Sequence, residues 1–95
     1  KIMAEVTWIK GHIPPPHDGE YYVALEARTD CVKGYQSGDV RITGDYWQDG
    51  TWMATGNANP FWEVLCWADV LKPDIPDSLR GRVKDYFGFK IDKYE

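Results

Sequence analysis

The residues of this chain whose types suit chemistry gather in two places. The loop "GHIPPPHDGE" carries both histidines, His12 and His17, together with Asp18 and Glu20. Imidazole and carboxylate groups are metal ligands, and a histidine beside carboxylates can be tuned to transfer protons near neutral pH. Their spacing matches neither a zinc nor a calcium loop, and a dedicated metal site needs ligands fixed on rigid elements, so an ordinary polar loop is the competing reading. The second place is "DYWQDGTW", where Trp47 and Trp52 stand symmetrically about Asp49-Gly50. Large aromatic side chains serve either as core or as the anchors of a binding surface. Cys31 and Cys66 lack CxxC spacing and an identifiable base partner, which argues against a disulfide framework, a zinc site or a nucleophilic thiol. Cys66, between Leu65 and Trp67, reads as a small buried hydrophobe. No cofactor motif is present, and no cofactor is expected.

The chain of 95 residues reads as one domain, 1–95, large enough to fold around a modest core without a metal or disulfide. No long uncharged apolar run occurs, so neither a transmembrane helix nor a secretory signal is expected, and the cytoplasm is the default compartment. A net charge of −4 with scattered Lys and Arg argues against direct nucleic-acid binding. The acidic residues form no run that imitates a phosphate track, so they read as a solubilising surface.

Several elements must position these residues. "EVTWIK" favours a strand, and Pro14, Pro15 and Pro16 then impose an extended arm and a loop. "YYVALEA" alternates, with Tyr21, Val23 and Leu25 on one face and Tyr22, Ala24 and Glu26 on the other. A polar loop from Arg28 to about Asp39 leads to "VRITGDYWQ" and "TWMATGN", which flank Asp49-Gly50. That dipeptide tolerates the positive φ of a type I′ turn, so a two-residue hairpin is predicted, pairing Gln48 with Thr51 and Trp47 with Trp52. The tryptophans then occupy a non-hydrogen-bonded pair, where opposing side chains come closest. Val40, Ile42, Tyr46 and Met53 form one face of the hairpin; Arg41, Thr43, Asp45, Trp47, Trp52 and Ala54 form the other.

"FWEVLCWADVL" is a near-continuous apolar run suited to a strand covered on both sides, with Trp62, Val64, Cys66 and Ala68 on one face and Leu65 and Trp67 on the other. The expected cover is a C-terminal helix. Asp77 is the candidate N-cap, Leu79, Val83, Tyr86 and Phe87 recur at helical spacing, Gly88 stands at the C′ position, and Gly81 weakens the helix.

The layout resembles the domain-of-unknown-function family numbered 551, small proteins of bacteria, phages and prophages. Trp8-Ile9 matches its Trp-Ile start, Ile13-Pro14 its Leu-Pro, Gly19 and Tyr22 to Leu25 its glycine and strand, and Gly50-Thr51-Trp52 its hairpin. Val64-Leu65-Cys66-Trp67 stands where the family has Val-x-His-Trp, with Cys66 in place of the His. The prolines that follow the family's Trp are missing here, and the segment from Pro76 lies outside the pattern. The resemblance implies a phage or mobile-element accessory protein without an established activity.

The expected fold is α+β: a mostly antiparallel sheet of about four strands, the C-terminal helix on one face, and the proline arm along an edge or the other face. The favoured function is a non-catalytic module that binds a host or phage protein, with Trp47, Trp52, Asp45 and Tyr22 as partner-binding candidates. The alternatives are a small metal-binding protein or enzyme using His12, His17, Asp18 and Glu20, and a carbohydrate-binding module using Trp47 and Trp52. Burial of the Trp pair is favoured over exposure, since a domain of this size needs its large side chains in the core.

Overall fold

The computed structural model describes residues 8–30, 32–56, 58–69 and 74–86. Strands β1 (Trp8–Lys10), β2 (Gly19–Ala27), β3 (Val40–Gln48), β4 (Thr51–Trp52), β5 (Trp62–Ala68) and β6 (Val83–Tyr86) form one sheet in the order β1-β5-β2-β3-β4, with β6 also on β3. Every pairing is antiparallel except β3 with β6. Asp49 and Gly50 have φ of 53° and 79°, as a type I′ turn requires, and Trp47 opposes Trp52 while Gln48 opposes Thr51.

The α+β expectation is overturned, because the described residues contain no α-helix. Asp77–Leu79 is a single 3-10 turn, Arg80 is already extended at φ −62° and ψ 131°, and Gly81 sits at φ 90°, a left-handed conformation that ends any right-handed helix. Val83–Tyr86 then pairs with β3 as a strand. The register slips so that Val83 opposes Val40 but Asp85 opposes Arg41, leaving Lys84 as the extra residue. Val83 and Tyr86 therefore pack on the same face although they lie three positions apart, which imitates helical spacing. Phe87 and Gly88 lie outside the described residues.

Each face of the sheet carries an apolar cluster. One carries Tyr22, Ala24, Val40, Ile42 and Ala68, closed by Leu79 with Ile75, Val83 and Tyr86. The covering helix expected here is absent: Ile75 and Leu79 pack onto this face from the irregular segment around the 3-10 turn, while Val83 and Tyr86 belong to the sheet itself as β6. Trp8 Nε1–H donates to the Asp74 carbonyl at 2.6 Å, and the Arg82 guanidinium to Glu26 at 2.5 Å and to the Gly38 carbonyl at 3.0 Å. The other face carries Tyr21, Val23, Leu25, Trp52 and Trp67. The proline arm lies against its β1 side: Pro15 is buried, Trp67 Nε1–H donates to the Ile13 carbonyl at 2.7 Å, and the Tyr21 hydroxyl to the His17 carbonyl at 2.7 Å.

A bulge in β5 decides what else reaches that second face. Ala24 opposes Cys66 but Leu25 opposes Val64, so Leu65 is extra. Leu65 and Cys66 both turn to the Tyr22 face, and Trp62 and Val64 change over to join Trp67 on the Trp52 face. Strict alternation had put Trp62 and Val64 with Cys66, which the extra residue reverses. Gly11 fits against the bulge: its N–H donates to the Leu65 carbonyl at 2.8 Å, and a Cβ there would lie 2.2 Å from the Val64 carbonyl oxygen.

Candidate functional site: a tryptophan-lined cleft

The part of the Trp52 face that the proline arm leaves open is a cleft of about 480 Å³, bounded by Trp47, Trp52, Trp62 and Val64 with His12 and Arg28 at its margins. It begins at the β3–β4 hairpin. The Trp47 and Trp52 rings meet edge to face, with centroids 4.9 Å apart and planes inclined at 67°. Trp52 is 4% exposed and also packs edge-on against Tyr21 at 6.0 Å, which in turn meets Trp67 at 5.1 Å. Trp47 is half-buried, with one side towards the cleft.

Asp45 supports this wall from behind. Its buried carboxylate accepts the amides of Tyr46 (2.7 Å), Ala54 (2.8 Å) and Thr55 (3.0 Å) and the Thr55 hydroxyl (2.8 Å). A short acceptor with several lone pairs is what a tight turn needs to satisfy its donors. Asn59 then ties the turn to β5: its side-chain amide donates to the Thr55 carbonyl at 2.9 Å, and its Oδ1 accepts the Phe61 and Trp62 amides at 2.7 and 3.0 Å.

Trp62, at the start of β5, forms the far wall. It meets Tyr35 edge-on at 5.0 Å, and the Arg41 guanidinium lies 5.4 Å from its ring centroid, within the range of a cation–π attraction. The Tyr35 hydroxyl donates to the Asp85 carboxylate. Burial, helped by that hydrogen bond, raises the Tyr35 phenol above its usual range, and burial likewise raises Tyr21.

The sequence candidates separate. Trp47 and Trp52 line the cleft, Asp45 lies behind it with its oxygens engaged by the turn, and Tyr22 is buried on the opposite face, edge-on to Tyr86 at 6.0 Å. Of the proposed metal and acid–base set only His12 borders the cleft; His17 and Asp18 are exposed elsewhere on the arm, and Glu20 is exposed on β2 opposite Tyr46. Among the described residues no group of three or more His, Cys, Asp or Glu side chains comes together. Cys31 lies outside the described residues. Cys66 carries a free thiol whose pKa burial pushes up to about 11, and it borders a second cleft, of about 540 Å³, on the Tyr22 face. Trp62 was missed as a site residue because the bulge that turns it into the cleft has no signature in the alternation; Asn59-Pro60 ahead of it signals only the turn.

No known family, curated protein or solved structure matches the chain. Among the described residues no helix is long and apolar enough to cross a membrane.

Proposed function

We propose that the chain is a non-catalytic interaction module whose tryptophan-lined cleft holds a segment of a partner protein. The observation that carries this reading is the cleft itself: Trp47, Trp52 and Trp62 converge on one open concavity from separate strands, with Arg28, His12 and Asn59 as a polar rim. Aromatic walls with a few fixed polar groups are the composition of binding hot spots. The resemblance noted in the sequence supports a host or phage protein as the partner of a phage-type accessory protein. The carbohydrate alternative fares less well, because Trp47 and Trp52 are mutually inclined and Trp52 is almost wholly covered, so the pair presents no flat ring platform for a sugar face.

Selection of a random displayed peptide library on the immobilised protein tests the proposal. Enrichment of binders that are lost with Trp47→Ala supports it, since that half-buried ring can be removed without unfolding the sheet. No enrichment of peptides, alongside binding to a glycan array, would replace it with the carbohydrate reading.

A further inference from the structure

The two clefts are neighbours across one sheet edge. Gly11, His12, Glu63 and Val64 line both, the first on the Trp52 face and the second on the Tyr22 face. Between them lies a length of β5 that no strand covers among the described residues, because β1 pairs only with Cys66–Ala68 and the chain turns away at Gly11.

The ladder shows which backbone groups this edge offers. The Arg28 amide donates to the Phe61 carbonyl at 2.8 Å, and Glu26 opposes Glu63 two places along, so Phe61 and Glu63 direct their groups to β2. Trp62 and Val64, between and beyond them, direct theirs outwards. The Trp62 amide is already held by Asn59, and the Val64 carbonyl is closed in by Gly11. What faces outwards is the Trp62 carbonyl and the Val64 amide. These are the acceptor and donor that one residue of a parallel strand takes when it lies opposite Glu63.

The side chains define that residue. Glu63 lies directly opposite Glu26, a like-charge pair that is unfavourable on a sheet. Arg82 neutralises Glu26 at 2.5 Å, whereas the exposed Glu63 has no ion pair among the described residues. Paired residues of parallel strands share a face, so the incoming residue places its side chain beside Glu63, and its two neighbours project into the cleft of Trp47, Trp52 and Trp62. We infer that the open edge of β5 takes up, in parallel orientation, an extended peptide segment with a basic residue opposite Glu63 and apolar residues on either side. This rests on the reading of the chain as an interaction module and names the partner's chemistry. A second copy is disfavoured as occupant, because two such edges would bring two Glu63 carboxylates together.

The probes are the capped pentapeptide acetyl-Thr-Leu-Lys-Leu-Thr-amide, the same peptide N-methylated on the lysine's backbone nitrogen, and a version with glutamate at the centre, each titrated by tryptophan fluorescence and by amide NMR shifts. The parent should bind, and N-methylation, which removes the donor to the Trp62 carbonyl, should weaken it about tenfold or more. The glutamate peptide should bind only to Glu63→Lys, a surface change that leaves the fold intact. Absence of parent binding, equal binding of the N-methylated form, or indifference to the charge exchange would overturn the edge proposal, as would a concentration-dependent dimer that Glu63→Lys abolishes. Library-selected peptides that bind the cleft yet ignore both N-methylation and Glu63→Lys would leave the interaction module standing and remove only the edge. Failure of the library as well would remove both.

Discussion

Trp52→Ala is the substitution that separates support of the fold from contact with a partner. The ring is 4% exposed and touches Tyr21 and Trp47 edge-on, with centroids at 6.0 and 4.9 Å. Truncating a buried Trp costs about 3–5 kcal/mol in lost transfer energy and residual cavity. At roughly 0.05–0.15 kcal/mol per residue, a domain of this length has about 5–14 kcal/mol of stability, so the variant should lose at least about a fifth of it. Trp47 is only half-buried and open to the cleft, and Trp47→Ala should cost about 1–2 kcal/mol. Because the rings touch, the double variant should fall short of the sum by about 1 kcal/mol. Urea denaturation followed by far-UV circular dichroism, which avoids the altered tryptophan emission, gives all three values. A Trp52→Ala loss below about 1 kcal/mol at unchanged denaturant slope would refute the placement of this ring in the core.

Asp45→Ala should cost about 2–4 kcal/mol, because it strands three backbone amides and the Thr55 hydroxyl, and thermal melting should show Asp45→Asn to be the milder change. Gly11→Ala should destabilise by about 1–3 kcal/mol, since its Cβ would meet backbone at 2.2 Å, and amide exchange should show β1 opening first; a neutral result would contradict the close approach to the bulge. Folding raises the Cys66 thiol from 9.0 to about 11, so its contribution to stability is fully present below pH 9, declines as pH rises and is gone above pH 11; Cys66→Ala should flatten the decline of melting temperature over that window. The raised phenols of Tyr21, Tyr35 and Tyr86 act in the same sense at higher pH.

The parts of the fold that were legible in the sequence are those written in local rules. Asp49-Gly50 specified the turn and so the Trp47–Trp52 register, and the alternation of β2 assigned its faces correctly. The continuous apolar run of β5 pointed to burial on both sides, which holds for Trp67 and Ala68, while Trp62 and Val64 border the open cleft and Glu63 is exposed. What was not legible comes from single extra residues. Leu65 reverses the phase of β5 and turns Trp62 into the cleft, and Lys84 brings Val83 and Tyr86 onto one face at a helix-like interval. A bulge leaves composition and local propensity unchanged, so a reading based on periods of two or 3.6 takes it for continued alternation or for a helix. Gly81 did carry a signal, but its left-handed φ separates the 3-10 turn from β6 where a weakened helix was expected. The placement of Tyr22 and Asp45 depended on packing: one is buried on the far face, and the other is consumed by a turn ten residues long in its reach, to Thr55.

The central claim is that the cleft receives a partner segment, and the five tryptophans provide its most direct measurement. Their indole N–H signals resolve in a two-dimensional NMR spectrum, and library-selected peptides can be titrated against them. Trp47, Trp52 and Trp62 border the cleft, whereas the Trp67 indole is committed to the Ile13 carbonyl beneath the proline arm. The account predicts that the Trp47 and Trp62 signals move first and furthest while Trp67 stays in place. Peptides that bind while shifting Trp67, or without shifting either Trp47 or Trp62, would contradict it.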